Sequence, residues 1–405
     1  MRRNCFILII LLVLTGSISS VKAQERQLSG QAQISLITIL PGEAPEEYFG
    51  HSAIRVYDPV NNMDLSFNYG TFHFDSWFML KFIYGDLNYF LSIASFPHSL
   101  EHYRQRRRPV IEQALNLTTG QQQLLYDFLL DNAREENRYY QYDFLFDNCS
   151  TRIRDAMEAV FSGEVKFAEK PDPGLTFREL IALYVHHKPF DRFGIDVLLG
   201  NQIDRVAEPR ETMFLPDYLM EAFDYASITI DGRDEPLVAN TELILNIDNY
   251  EEQGNSFPWV SLFTWIVFLT GLLVTWKGYQ AGVAIQRWID VPLFAVTGFI
   301  GLLISFLWFI SLHDVTASNL NLIWALPTHL IVVPILIKHS KPGKRMTIYF
   351  LATAIVSFII LAGWIFWPQY LHPAVFPLIL LLLLRSGWIT YYNVAAEKKF
   401  ITSDL

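Results

Sequence analysis

Cys149 stands in the run YDFLFDNCSTRIR, Tyr142–Arg154. The apolar, aromatic positions Tyr142, Phe144 and Phe146 read as a strand that ends at Asp147-Asn148. Helical spacing then begins, with Ile153, Met157, Val160 and Phe161 three and four residues apart. The spacing therefore predicts a thiol on the first turn of a helix. There the helix dipole and unpaired backbone N–H groups favour a thiolate. The same N–H groups could receive the oxyanion formed when a thiolate attacks a carbonyl. The plainer alternative is a small buried apolar residue. The other cysteine, Cys5, lies in a leader-like start, so the mature chain has no second cysteine for a disulfide. Structural cysteines of exported proteins usually come in pairs, which favours a nucleophile here.

A thiolate nucleophile needs a base, and the base needs an orienting group. Histidine is the usual base because its pKa lies near working pH. His51 follows Gly50 at the start of the predicted strand Glu47–Tyr57. Asn68 lies on the next predicted strand, Leu65–Tyr69. Residues two apart share a strand face, so Asn68 can lie beside His51 and accept its second ring proton. A rival base is the pair His186 and His187, which follow Cys149 in the order of papain. Their place at a helix end beside Lys188 has a simpler explanation, because a cation there favours the dipole. His98–His102 (HSLEH) matches an inverted zinc-protease pattern, but no third ligand is evident and no metal or cofactor is expected. Arg104, Arg106, Arg107 and Arg108 after it read as a solvated helix end, with lipid phosphate as the alternative partner.

These residues need a scaffold. The chain has 405 residues, 51% of them apolar, and a mean hydropathy of +0.22. That is too hydrophobic for one soluble domain and long enough for two parts. Met1–Ala23 reads as a signal peptide, with Arg2 and Arg3 before the apolar Phe6–Leu14. Between Gln24 and Ser256 there are 19 Lys+Arg and 37 Asp+Glu, a net −18. So acidic an exported domain argues against nucleic acid as a partner. Strands are expected at Gln31–Leu40, Glu47–Tyr57 and Leu65–Tyr69. Helices are expected over Pro97–Arg108, from Thr118 or Thr119 to Arg134, after Cys149, and over Phe177–His186. Gly194 and Gly200 suggest an irregular stretch, and Ser227–Ile247 a hairpin. Trp77–Ala94 fits helix or hairpin.

After the polar linker Asn249–Ser256 the character changes. Phe257–Leu405 holds nine Lys+Arg and four Asp+Glu. Pro258–Trp276, Val291–Leu312, Leu320–Ile337, Met346–Trp367 and Ala374–Tyr391 are five apolar runs of spanning length. Positive charge gathers in Lys277–Arg287, Lys338–Arg345 and Lys398-Lys399. The positive-inside rule puts these, and the C-terminus, in the cytoplasm. His313, Asn319 and Asn321 then fall on the side of Cys149. His329 lies deeper in the third run, where a polar residue suggests function. Arg385 is expected to snorkel from the last run to the cytoplasmic interface.

GHSAIRVYD (Gly50–Asp58), FNYGTF (Phe67–Phe72), YDFLFDNCSTRIRD (Tyr142–Asp155) and MFLPDYL (Met213–Leu219) resemble the Lnb-type lipoprotein N-acyltransferase family. So does the order of exported domain and membrane bundle. The resemblance implies an α+β, circularly permuted papain-like (NlpC/P60-like) domain over residues 24–256. An all-α bundle of five transmembrane helices would follow over 257–405. It implies a bacterial inner-membrane enzyme with His51 ahead of Cys149. Such an enzyme moves an acyl chain from a phospholipid to the α-amine of a diacylglyceryl apolipoprotein through a thioester. Asn68 as the third catalytic residue is a reading of the strands, not part of the resemblance. Two other readings compete. One is a membrane-tethered cysteine hydrolase of envelope lipids or peptides. The other is a non-enzymatic envelope assembly protein.

Overall fold

The computed structural model describes residues 27–168, 174–248, 250, 256–339 and 343–403. The expected signal peptide lies outside the described residues, as does most of the linker Asn249–Ser256. The chain opens with β1 (Gln33–Ile39), β2 (His51–Asp58), β3 (Met63–Thr71), α1 (Phe78–Tyr84), β4 (Asn88–Ser95) and α2 (Phe96–Gln105). Next come β5 (Val110–Leu115), α3 (Thr119–Asn132), β6 (Tyr139–Gln141), α4 (Cys149–Val160) and β7 (Val165–Lys166). Then follow α5 (Phe177–Val185), α6 (Pro189–Leu198), α7 (Pro209–Thr212) and α8 (Pro216–Tyr225). The hairpin β8 (Ser227–Ile230) and β9 (Arg233–Pro236) precedes β10 (Val238–Leu245).

Seven strands form one sheet in the order β10-β5-β1-β2-β3-β4-β6, with every neighbouring pair antiparallel. Side chains alternate across it. Ile34 and Leu36 of β1, Ile54 and Val56 of β2 and Phe67 of β3 pack with Leu125 and Leu129 of α3 and with Ile153 and Met157 of α4. Ile37, Ile39 and Ala53 belong to the opposite face and pack with Phe96 and Tyr103 of α2. Each such side chain, fully buried, contributes ~1.5–3 kcal/mol relative to exposure. Coverage on both faces explains why β1 is buried at six successive positions, Ile34–Ile39, where alternation was expected.

Several expectations change. Tyr142–Phe146 is no strand but a turn. Asp143 Oδ1 accepts the N–H groups of Leu145 and Phe146 at 2.8 Å each, and the backbones of Asp143 and Asp147 bond to each other. An aspartate that satisfies two backbone donors outcompetes the apolar alternation. Gly194 lies inside α6 rather than in an irregular stretch. The expected hairpin turns at Asp231-Gly232, but its third strand, β10, leaves to pair with β5.

The C-terminal part is helical: α9 (Trp259–Ala281), α10 (Arg287–Phe309), α11 (His329–Lys338), α12 (Lys344–Ala362) and α13 (Val375–Ser403). Among the described residues four helices are long and apolar enough to cross a membrane, and α11, with ten residues, is shorter. Leu320–Ile337 was expected as one span. Pro327 lacks a backbone N–H and disfavours helix before it; α11 starts two residues later. The non-helical approach packs tightly on α10, where a side chain on Gly301 would strike the Ala325 carbonyl at 1.7 Å. Irregular backbone at such depth is tolerated where protein surrounds it.

Arg385 does not snorkel. It is fully buried, with Nε donating to Asp290 Oδ1 at 2.6 Å and Nη2 to Oδ2 at 2.8 Å. Its Nη1 donates to Thr275 Oγ1 at 2.8 Å and Nη2 also to the Ala284 carbonyl at 3.2 Å. One guanidinium thereby joins α9, α10 and α13. Removing one partner of such a pair leaves an uncompensated buried charge, whereas replacing both does not. Arg385→Met is therefore expected to destabilise the bundle by about 3–5 kcal/mol. Arg385→Met with Asp290→Leu should recover most of that loss, as read by thermal unfolding in detergent.

Candidate active site

Cys149 is the first residue of α4, and Asn148 caps the helix. Asn148 Oδ1 accepts from Ser150 N at 2.9 Å and Thr151 N at 3.0 Å. Its Nδ2 donates to the Phe144 carbonyl at 2.7 Å and the Phe214 carbonyl at 2.8 Å. The amide is thus fully used, and it locks the Asp143–Asp147 turn and the approach to α8 onto the start of α4. The cap also narrows the expected oxyanion site. Arg152 N bonds the Asn148 carbonyl. Of the first-turn amides, that of Cys149 itself is left without an acceptor among the described residues.

His51 opens β2, opposite Ile39 of β1. Register puts His51 and Asn68 on the sheet face covered by α2, while α4 covers the other face. The thiol and the imidazole meet because the β2/β3 ladder stops at Ile54–Phe67. Beyond it β3 bends through Gly70, whose φ is +85°, with a register shift against β4 between Asn68 and Thr71. A side-chain carbon on Gly70 would lie 3.7 Å from Cys149 Cβ and 3.9 Å from the Tyr142 ring. Glycine supplies both the left-handed backbone and the close approach.

The gap frees Ser52 N–H from the β3 ladder, and it points at the sulfur. Ser150 Oγ lies 3.9 Å from Sγ and 3.0 Å from Ser52 Oγ. Burial pushes the thiol up, but the charge of the adjacent His51 ring, its hydrogen bond to the sulfur, the Ser52 N–H and the Ser150 hydroxyl together outweigh it and bring the pKa down to about 7.

His51 and Asn68 line one cleft of about 290 Å³ with Thr71, Ser92, His98 and His102. Asn68 Nδ2 donates to Ser66 Oγ at 2.9 Å and the Ser66 carbonyl at 3.3 Å. No hydrogen bond joins Asn68 to His51 among the described residues. The HSLEH histidines, one turn apart on α2, border this cleft, which their spacing alone could not place. No group of three or more His, Cys, Asp or Glu is placed to hold a metal among the described residues. His186 and His187 lie elsewhere, at the end of α5. Their rings meet each other, His186 Nδ1 reaches the Leu183 carbonyl at 2.6 Å, and His187 also faces Tyr48. The arginines after α2 meet protein partners. Arg104 pairs with Glu101, Arg106 with Glu46 and Glu47, and Arg108 with the Leu40 carbonyl, while Arg107 reaches the Asp248 carbonyl.

The domain is fastened to the helical bundle on one side. Asn319 Nδ2 donates to the Val197 carbonyl at 2.8 Å and Asn321 Nδ2 to the same carbonyl at 3.2 Å. Gln369 Nε2 donates to the Leu199 carbonyl at 3.3 Å and its Oε1 accepts from Leu320 N at 2.6 Å. Carbonyls at the end of α6 thus find donors on the bundle, as helix ends require. His329 is buried between Tyr349 Oη, at 2.7 Å from Nδ1, and the Trp324 carbonyl, at 3.2 Å from Nε2. It joins α11 to α12.

A thiol site on an α/β domain, bolted to apolar helices of spanning length, defines a membrane protein with a folded domain outside the bilayer. The model of the Lnb N-terminal periplasmic domain matches residues 22–182, and that of the Lnb transmembrane domain matches residues 251–397. The chain belongs to the Lnb-type family, and its N-terminal part is periplasmic. No curated protein and no solved structure matches it.

Two variants test the site geometry. In His51→Ala, the pH at which Cys149 becomes reactive to iodoacetamide should move up from about 7 by about one to two pH units. Asn148→Asp keeps the capping acceptor but loses both donated bonds. It should lower stability by ~1–3 kcal/mol and also raise the thiol's titration midpoint, measured by the same alkylation.

Proposed function

We propose that the protein is a lipoprotein N-acyltransferase that works through an acyl-thioester on Cys149. The observation that carries this is a thiol at a helix N-terminus, hydrogen-bonded to His51 and brought down toward neutrality by it, on a domain fixed to helices long and apolar enough to cross a membrane. The Cys149 thiolate attacks the ester carbonyl of a phospholipid. The S–C bond forms, and the oxyanion is received by the Cys149 N–H. The C–O bond then breaks, and His51 gives its proton to the departing lysophospholipid. The α-amine of a diacylglyceryl apolipoprotein attacks the thioester next. The N–C bond forms, the C–S bond breaks, and the proton passes to His51, restoring thiolate and imidazolium. Asn68, which lines the same cleft as His51, is the third residue of this proposal and takes up the ring's second N–H only once substrate is bound. The periplasmic domain and the family's lipoprotein-processing type support this reading.

We infer the architecture in the same way. Residues 24–256 form a permuted papain-like domain behind a cleaved signal peptide, and residues 257–405 cross the membrane five times. Supporting five crossings, residues 312–321 and 369–370 both touch the periplasmic domain. The chain between them therefore goes across and back, with α11 completing one passage. The C-terminus then lies in the cytoplasm, with the basic loops.

Purified protein in vesicles of labelled phosphatidylethanolamine should carry the mass of one acyl chain on Cys149. An acceptor lipopeptide amine should discharge it with matching N-acylation. Acyl release to water at the same rate with and without acceptor would make the protein a hydrolase. Transfer that persists in Cys149→Ser would end the thioester scheme.

A further inference from the structure

The helix α1 and its approach expose apolar side chains that nothing among the described residues covers. Phe74 is 77% exposed, Trp77 65%, and Met79 and Leu80 59% each, with Ile83 also exposed. A soluble surface rarely shows so many large apolar groups together. The helix's one charge, Lys81, is matched by Asp75 at 2.7 Å. Its place in the molecule identifies what covers it. Tyr84 accepts the Leu312 N–H at 2.7 Å, and the Phe82 carbonyl lies 2.6 Å from His313 Nε2. Gly85 ends the helix at φ +88°, and a side-chain carbon there would come within 3.1 Å of the Leu312 and His313 backbone. Leu312 and His313 lie three and four residues past the end of α10, a helix long and apolar enough to cross a membrane, whose Phe299 and Phe309 are exposed. The apolar face of α1 therefore continues the lipid-facing surface of α10 at its periplasmic end.

We propose that α1 is a membrane-inserted helix that sinks Trp77, Met79 and Leu80 into the periplasmic leaflet of the bilayer beside α10. Aromatic residues at both ends suit the headgroup boundary, and the apolar middle suits the acyl region. The helix also leads inward. Phe78 stacks on Phe72 at 4.9 Å, Phe72 on Tyr89 at 5.0 Å and Tyr89 on Tyr142 at 4.5 Å. The Tyr142 ring adjoins Gly70, which packs beside Cys149. This line of rings joins the inserted helix to the sulfur. Tyr89 is buried in the sheet core, so an acyl chain leaving the leaflet follows the half-exposed rings of Phe78 and Phe72 toward the thiol. This second step rests on the acyltransferase reading; the insertion does not.

The test uses the full chain in phosphatidylethanolamine/phosphatidylglycerol nanodiscs, with Cys5→Ser and Cys149→Ser. Single cysteines, Leu80→Cys, Phe299→Cys and Leu124→Cys, carry an environment-sensitive fluorophore. Leu124 is exposed on α3, away from the bundle. Lipid-borne nitroxide should quench the label at 80 nearly as strongly as at 299 and several-fold more than at 124. Quenching at 80 no greater than at 124 would overturn the insertion, whatever the enzyme's activity. With Cys149 restored, Met79→Glu with Leu80→Glu should slow acylation of Cys149 from bilayer phospholipid by about tenfold. Its alkylation by iodoacetamide should be unchanged. Equal acylation rates in the two proteins would remove the approach path and leave the insertion to the quenching result. Absence of acylation in the unaltered protein would count against the acyltransferase reading alone.

Discussion

The site depends on a ladder that ends early. β2 and β3 pair from Asp58–Met63 to Ile54–Phe67 and then part. An intact sheet would separate the face that carries His51 from the face on which α4 lies. The gap lets a helix N-terminus on one face bring its sulfur to an imidazole on the other. It also releases the Ser52 N–H toward the thiolate. One local failure of hydrogen bonding thus supplies both the passage and a donor to the sulfur. The cost of the missing ladder bonds is offset by the Asn148 cap, which satisfies four backbone groups around the same point.

The second constraint is the seam between domain and bundle. It is polar and buried, built from side-chain amides that reach the carbonyls ending α6. Such bonds are directional, and in a buried seam each unmade one carries a desolvation penalty. They therefore hold a definite angle between the parts where an apolar seam would slide. This fixes the height of Cys149 over the bundle. The Arg385–Asp290 pair does the same inside the bundle, setting three helices in one register by a contact that tolerates no substitute at either end alone.

Much of the chemistry was legible in the sequence. A lone cysteine after Asp-Asn at the start of helical spacing predicted the helix N-terminus, because capping and periodicity are local properties. Thr118 predicted its helix for the same reason, and its side chain accepts Gln121 N at 3.2 Å. Long apolar runs predicted membrane helices from length and composition. The alternation of His51 and Asn68 predicted a shared face, since strand parity needs only the neighbouring register. Arg385 was misjudged because an arginine near a span end looks the same whether it reaches water or a buried Asp290, ninety-five residues away.

The residue types by themselves determined that this chain carries a thiol on a capped helix, a histidine on a strand, and apolar helices behind them. Those features follow from covalent order and local spacing. Only the tertiary structure decided that the β2/β3 ladder breaks where it does, that His98 and His102 border the cleft, and that the third apolar run is half irregular. It alone also placed the aromatic helix against the end of α10. These are pairings between residues far apart in the chain, chosen by competition among many possible partners for burial and hydrogen bonds. No single stretch contains the information to settle that competition.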